Sequence, residues 1–245
     1  MKTTSVKVAD IDKEYLERLA LRLWKQMSLR LKKRMKTGRY GEINLRATIR
    51  NSISKGGDFI ELKHKNRKPK KFRLVILLDV SGSMDKYSFF LLRFLWALRS
   101  SFESIEAFVF STELVRITDY LKDKDLKSAL ATMSAKVHNW SSGTQIGESL
   151  RIFNQLHAKR VLNGRSMTII LSDGLDTGTP QLLAQQLNIV KRRTNKLVWL
   201  NPLKGMKDYE PTARGMSTAL PQIDVFESAH SLDSLLELEN FLAHV

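Results

Sequence analysis

Two runs of the sequence are apolar on both sides of an extended chain, and they constrain the fold more than any other feature. Residues 74–78 read LVILL and residues 167–171 read MTIIL. A strand with consecutive aliphatic side chains must be covered on both faces, as strands of parallel sheets are when helices pack on each side. These runs therefore predict the inner strands of a layered α/β domain.

Candidate strands and helices alternate from residue 72 onward, which predicts a doubly wound, mostly parallel sheet. The stretch FVFSTELVRIT leaves too few residues between two strands for a crossover helix. A hairpin is the remaining connection, so the third strand is predicted to be an antiparallel edge strand. The strand candidates are 72–79, 105–110, 114–118, 166–172, 196–201 and 222–226, and the helix candidates are 86–101, 123–134, 145–157, 180–193 and 231–242.

The charge is concentrated at the amino-terminal end. Residues 1–73 contain 22 Lys+Arg and 7 Asp+Glu, which leaves 19 and 18 of the totals of 41 and 25 for the rest of the chain. Residues 10–36 have helical apolar spacing and are predicted to form a long helix. We predict a basic, largely helical N-terminal region with a connector at 1–71 and the α/β domain at 72–245.

Composition excludes several classes of protein. The chain has no cysteine, so disulfides and thiolate metal sites are absent. Its apolar runs are too short to cross a membrane, and acids stand where a signal peptide has its apolar core. We expect a cytoplasmic protein without a membrane span. Its basic N-terminal region at 1–71 suits an anionic partner.

Three polar loops are predicted at one edge of the sheet, where ligands of such folds bind. They are DVSGS after the first strand, SSGTQIGES before a helix, and SDGLDTG after the fourth strand. Together they offer only oxygen ligands, a set that selects Mg²⁺, Mn²⁺ or Ca²⁺. A plain turn with capping serines is the alternative. The candidate metal ligands are Asp79, Ser81, Ser83, Thr144 and Asp173.

Other polar residues near these loops have two interpretations each. Asp85 and Asp176 are interpreted as hydrogen-bond acceptors that surround the metal ligands. Asp85 has a second interpretation, as a residue in the first turn of a helix. Glu148 is interpreted as a capping-box partner. Asn201 either holds the loops or a partner, or forms a turn before Pro202.

The histidines show no metal-ligand spacing. His138, with Trp140, lies near the predicted metal face in sequence. We interpret all five histidines as surface or packing residues: His64, His138, His157, His230 and His244.

The stretch DVSGSM, followed by GT and then by SDG, resembles the metal-ion-dependent adhesion site of von Willebrand factor A domains. The resemblance implies that Ser81, Ser83 and Thr144 reach the metal through their hydroxyls, while Asp79 and Asp173 act mainly through bound waters. Few carboxylates then touch the ion, and an open coordination position accepts a carboxylate of another protein. Mg²⁺ is the first expectation, with Mn²⁺ or Ca²⁺ as alternatives.

Further stretches resemble the CoxE-like branch of these domains, among them GEINLRATIRNSISKGGDFIEL, NWSSGTQIGESL and ILSDGLDTGTPQLL. This resemblance implies a non-enzymatic maturation factor, with a chaperone-like role. Its implied partners are a MoxR-type AAA+ ATPase and a client metalloenzyme such as a molybdenum-containing carbon monoxide dehydrogenase. The chain lacks the GxxxxGK[ST] motif of ATP hydrolysis.

Two other functions remain as alternatives. The basic N-terminal region suits a nucleic-acid-binding protein. Its run KHKNRKPKKFR has one aromatic residue, Phe72, and therefore offers no platform on which bases could stack. An Mg²⁺-dependent phosphohydrolase would use Asp79 as its nucleophile, but the second acid of such sites is replaced by Ser81.

Overall fold

The computed structural model describes residues 45–53, 73–84, 87, 88, 91, 92, 95, 104–122, 143–230 and 234. It divides into two compact units, of which residues 27–70 are one. A helix of this unit is α1 (Leu45–Ile53). Leu45, Ile49 and Ile53 of α1 are exposed, whereas Thr48 is buried.

The second unit contains a six-stranded sheet in the order β3-β2-β1-β4-β5-β6. All neighbouring strands are parallel except β2 and β3, which form the hairpin predicted from the sequence. The doubly wound fold with one antiparallel edge strand is thus confirmed. The strands are β1 (Arg73–Asp79), β2 (Ile105–Phe110), β3 (Leu114–Arg116), β4 (Ser166–Leu171), β5 (Lys196–Asn201) and β6 (Val225–Ser228).

The last strand begins three residues later than predicted. Residues Leu220–Gln222 form a 3₁₀ turn. Asp224 then contacts the edge of β5 twice, because its carboxylate accepts the N–H of Leu197 at 2.8 Å and its own N–H donates to the Leu197 carbonyl at 2.9 Å. Strand pairing starts at Val225.

Four helices of this unit contribute to one core: α2 (Ile146–Leu156), α3 (Ala158–Val161), α4 (Pro180–Arg193) and α5 (Arg214–Ala219). Phe108 of β2 meets Phe153 of α2 edge to face, with ring centroids 5.2 Å apart. Such aromatic pairs contribute about 1 kcal/mol to stability in addition to the effect of burying their apolar surface. The alternate side chains of β1, Leu74, Ile76 and Leu78, are also buried, so both faces of the central strand are covered as its composition requires.

Several predictions fall on residues outside the described ranges. They are the helices at 10–36 and 123–134 and most of those at 86–101 and 231–242. Within the third of these, Leu91, Leu92 and Leu95 are helical and buried, which fits packing on the sheet. The boundary near residue 71 remains a prediction. No helix of the described residues is both long enough and apolar enough to span a bilayer.

The strand order locates the ligand edge of the sheet. From β1 the chain builds outward through β2 and β3, and it then crosses to β4 on the other side of β1. The gap between the carboxyl ends of β1 and β4 is therefore a topological switch point, where open α/β sheets bind ligands. Asp79 ends β1 there, and Asp173 follows β4 by two residues.

Candidate metal centre

The segment after β1 folds back on the end of its own strand. The backbone N–H of Ser81 donates to Asp79 Oδ1 at 3.0 Å, and the Ser81 and Ser83 hydroxyl oxygens lie 3.2 Å apart. A 3₁₀ turn at Gly82–Met84 follows, closed by a bond from the Met84 N–H to the Ser81 carbonyl at 2.9 Å. Ser81 is buried and Ser83 is exposed. The alternation of Asp79, Ser81 and Ser83 thus brings their three oxygen groups together.

Asp79 is fully buried, and its carboxylate is held at both oxygens. Oδ2 accepts the hydroxyl proton of Ser172 at 2.7 Å, opposite the bond from Ser81 to Oδ1. Burial nevertheless raises the pKa of Asp79 from 3.8 to about 6, because desolvation outweighs the hydrogen bonds that favour the charged form. The nearby negative charge of Asp173 raises this pKa further.

Asp173 has one carboxylate oxygen without a hydrogen bond. Its Oδ1 accepts the N–H of Leu175 at 3.0 Å. Its Oδ2 is buried and has no hydrogen-bond partner among the described residues. An unpaired buried carboxylate oxygen is costly, so it indicates a ligand, most simply a cation.

Ser172 links the two aspartates, and the sequence analysis did not single it out. Its hydroxyl donates to Asp79 and accepts the N–H of Gly174 at 3.0 Å, while its carbonyl accepts the indole N–H of Trp199 at 2.9 Å. Gly174 has φ of 80°, the left-handed conformation that glycine adopts without strain. The sequence pattern that could have identified Ser172 is a hydroxyl residue at a strand end, directly before Asp173.

Thr144 reaches the same edge through the loop after β4. Its carbonyl accepts two hydrogen bonds from Thr177, from the backbone N–H at 3.0 Å and from the hydroxyl at 2.7 Å. Within the described part of the chain, no hydrogen bond joins the Thr144 hydroxyl to the other four candidate ligands. Thr144 is buried and is tied to the 172–178 loop by its backbone.

The structure shows the contacts of two other polar residues near the loops. Asp176 caps α2, because its Oδ1 accepts the N–H groups of Ile146 at 2.9 Å and Gly178 at 3.0 Å. The prediction that Glu148 forms a capping box is wrong, since Glu148 pairs instead with Arg151 one turn along the helix. A carboxylate 30 residues further along the chain caps the helix in its place.

Asn201 fulfils both of its proposed roles. Its Oδ1 accepts the N–H of Leu203, which forms the turn at Pro202. Its Nδ2 donates to the Asp173 carbonyl at 2.9 Å and to the Tyr209 hydroxyl at 2.8 Å, so it also holds the loop that carries Asp173. Tyr209 was not identified from the sequence. Burial and the nearby Asp173 raise its pKa.

Two of the histidines lie in the described ranges, and both are packing or surface residues there. The His157 ring lies 4.9 Å from that of Phe108, and burial lowers the pKa of His157. His230 is exposed and lies near Tyr87. Within the part of the chain that the structure describes, no three His, Asp or Glu side chains cluster around a metal position. His64, His138 and His244, as well as Trp140 and Asp85, lie outside that part.

The charge balance of the site fits a divalent cation. Asp79 and Asp173 are buried side by side, and none of the ion pairs found among the described residues involves either of them. Burial is the main cause of the raised pKa of Asp79, and the negative charge of Asp173 adds a smaller contribution, as expected for two carboxylates that lie without a counter-ion among the described residues. Carboxylate and hydroxyl oxygens are the ligands that hard divalent cations prefer.

We expect Ser172→Ala to lower the free energy of unfolding by about 1–2 kcal/mol, because Asp79 Oδ2 and the Gly174 N–H both lose their partner. Urea denaturation in chelator measures this change. Ser149→Ala is the matched control, since the buried Ser149 hydroxyl has no hydrogen-bond partner among the described residues. The control variant should be as stable as the parent protein or more stable, and an equal loss in both variants would contradict the role of Ser172.

The comparisons with known proteins agree with this architecture. A family model described as "VWA domain containing CoxE-like protein" matches residues 16–235. No curated protein matches the chain.

Among solved structures, three similar chains differ widely in source. A von Willebrand factor type A protein from Catenulispora acidiphila is 17% identical with a TM-score of 0.47, and the match covers 74% of this chain and 43% of that one. Proximal thread matrix protein 1 from the mussel byssus, with a zinc-occupied MIDAS motif, is 16% identical with a TM-score of 0.45 and coverages of 71% and 45%. An aerotolerance-related membrane protein from Bacteroides fragilis is 13% identical with a TM-score of 0.43 and coverages of 71% and 98%. This chain spans less than half the length of the first two.

Proposed function

The chain belongs to the family of VWA-domain-containing CoxE-like proteins, and on this premise we propose that it is a non-enzymatic, metal-dependent protein-interaction module. Its site would hold a divalent cation, Mg²⁺ first, through Asp79, Ser81, Ser83, Thr144 and Asp173. The observation that carries this proposal is the buried Asp173 Oδ2, which has no hydrogen-bond partner in the described part of the chain, beside a second buried carboxylate that has no counter-ion there.

Each residue has a task in this proposal. Ser81 and Ser83 present adjacent hydroxyl oxygens, and Thr144 adds a third from the helix side of the edge. Asp79 and Asp173 supply the negative charge, while Ser172 and Asn201 orient them. When bound, the cation supplies a Lewis-acidic position that an acidic side chain of a partner can occupy.

The hydrogen bonds of Asp79 argue against the phosphohydrolase alternative. A nucleophilic carboxylate needs an oxygen that can approach the substrate. Asp79 is buried, and both of its oxygens accept hydrogen bonds, from the Ser81 N–H and from the Ser172 hydroxyl. These contacts suit a residue that orients a metal site. A screen of phosphatase substrates with Mg²⁺ should detect no turnover above that of Asp79→Asn, and turnover lost in this variant would support the enzyme instead.

The family suggests the partners. We propose that the protein acts with a MoxR-type AAA+ ATPase on a client metalloenzyme, such as a molybdenum-containing carbon monoxide dehydrogenase. Purified ATPase from the same organism should bind the chain in Mg²⁺ and be released by chelator. Binding that is equal with and without Mg²⁺ would exclude a metal-dependent contact. Binding of duplex DNA that persists at physiological salt would favour the nucleic-acid alternative.

We expect Ser83→Ala to weaken Mg²⁺ binding by about tenfold, the loss typical of one metal-site contact. Because Ser83 is exposed, the fold should not change. Isothermal titration calorimetry measures the affinity. Ser217→Ala is the control, since Ser217 is an exposed serine with one hydroxyl bond to the Arg214 carbonyl at 3.0 Å. Unchanged affinity in Ser83→Ala would remove Ser83 from the ligand set.

A further inference from the structure

Exposed large apolar side chains in the sheet unit are concentrated at the metal edge. The described residues of this unit include three: Leu156 is 63% exposed, Leu175 is 46% exposed and Met206 is 49% exposed. Leu175 lies in the loop after β4, and Met206 follows the 3₁₀ turn after β5. Single exposed apolar residues are common on protein surfaces, so their location carries the argument.

Both residues lie on loops that hydrogen bonds connect to the segment of Asp173. The N–H of Leu175 donates to the carboxylate of Asp173 at 3.0 Å. The carbonyl of Met206 accepts the N–H of Tyr209 at 3.3 Å, and the hydroxyl of Tyr209 accepts the same Asn201 amide that holds the Asp173 carbonyl. Because β4 and β5 are neighbours in the sheet, the loops that follow them lie side by side.

The backbones under these side chains are closely packed. A Cβ atom at Gly174 would lie 2.6 Å from the sulfur of Met216, and one at Gly205 would lie 2.3 Å from the Cβ of His230. Loops packed this closely display their side chains in a defined position before a partner arrives. Such preorganisation lowers the entropic cost of binding.

We propose that Leu175 and Met206 form an apolar rim that binds a large aliphatic side chain next to the acidic residue of the partner segment. This inference rests on the proposed function, in which that acid occupies the metal. The proposed ligand carries its aliphatic residue directly beside the acid in sequence, because Leu175 and the proposed metal ligand Asp173 share one short loop. The preferred ligand is a leucine-flanked aspartate or glutamate, and a hydrophilic acidic segment binds more weakly.

Three synthetic peptides test the rim on the full chain in Mg²⁺: Ser-Leu-Asp-Leu-Ser, Ser-Ser-Asp-Ser-Ser and Ser-Leu-Asn-Leu-Ser, each capped at both ends. We expect the leucine-flanked aspartate peptide to bind about fivefold more tightly than the serine-flanked one by NMR titration. Leu175→Ser and Met206→Ser should each reduce this preference and leave Mg²⁺ uptake unchanged. Leu156→Ser, which changes the more exposed leucine at the far end of α2, should keep the preference.

The outcomes separate the rim from the function on which it rests. Equal binding of the two aspartate peptides would overturn the rim while carboxylate docking stands. Equal binding of the leucine-flanked aspartate and asparagine peptides would overturn carboxylate docking, whereas a leucine preference lost in Leu175→Ser would still support the rim. Absence of binding by all three peptides to Mg²⁺-loaded protein would overturn both.

Discussion

In chelator at pH 8, we expect Asp79→Asn to be more stable than the parent protein by about 1–3 kcal/mol and to bind no Mg²⁺. The parent protein must keep a desolvated carboxylate charged, and its pKa of about 6 against 3.8 measures that cost. Each pKa unit corresponds to about 1.4 kcal/mol. The asparagine keeps the acceptor for the Ser81 N–H but leaves the Ser172 hydroxyl proton without its partner, which reduces the gain.

The pKa of Asp79 determines how the stability difference between the two proteins changes with pH. Below pH 3.8 the folded and unfolded states of the parent protein both carry the proton on Asp79, so this residue gives the variant no advantage. Between 3.8 and about 6 the folded state binds the proton more tightly, and the parent protein loses stability as the pH rises. Above about pH 6 the advantage of the variant is complete. Urea denaturation of both proteins from pH 4.5 to 8 in chelator measures the difference, and a difference independent of pH would contradict the prediction.

Adding Mg²⁺ should reverse the order of stability. A ligand at about 1,000 times its dissociation constant stabilises the state that binds it by about 4.1 kcal/mol, which exceeds the advantage of the variant, and only the parent protein receives this gain. Asp119→Asn removes the same charge from an exposed side chain that pairs with Arg116. This control should change stability by less than about 1 kcal/mol and keep the response to Mg²⁺.

Gly215→Ala is expected to lower the free energy of unfolding by about 3 kcal/mol and to weaken Mg²⁺ binding at least tenfold. The new Cβ would lie 2.3 Å from the Gly174 carbonyl oxygen and 2.9 Å from the Asp176 Cβ. The first of these is a backbone atom of the loop that carries Asp173, so the clash cannot be relieved by rotating a side chain. Overpacking of this kind costs about 1–3 kcal/mol, and the loop must move to relieve it.

Thermal denaturation and calorimetric titration with Mg²⁺ measure these two effects. Alanine is the better helix former, so propensity alone would make a substitution within α5 stabilising. Gly164→Ala is the control, because a Cβ there meets no atom within 4 Å. Equal stability of Gly215→Ala and Gly164→Ala would mean that α5 and the loop yield without cost, and the metal site would then not depend on their close contact.

The network around Asp173 suggests how a partner could affect the whole edge. The loop at 172–178 contacts β1 through Ser172, the start of α2 through Asp176 and Thr177, and β5 through Asn201. A shift of this loop would move the Thr144 backbone together with the Ser172 hydroxyl that bonds to Asp79. The metal site and its surroundings therefore form one mechanical unit in the proposed function.

The alternation of apolar runs and helical spacings was sufficient to predict the fold, because each inner strand must bury both faces and each helix one. The bounds of β5 and α4 agree with the sequence prediction, while β6 begins three residues late, after the 3₁₀ turn at Leu220–Gln222. The oxygen-rich loops were also identified, since strand ends at a switch point expose the residues that follow them. Which residues form the metal ligand set remains a prediction.

The supporting residues became visible only in the tertiary structure. Ser172 bonds to a carboxylate 93 positions away, Asp176 caps a helix that starts 30 positions earlier, and Asn201 reaches Asp173 from the neighbouring strand. Local patterns cannot specify such contacts, because they depend on which loops the sheet brings together. The sequence by itself determined the class of fold and the chemistry available at its edge, through burial and side-chain type. Only the folded chain decided which groups pair, because hydrogen bonds and desolvation depend on distances between segments that are far apart in sequence.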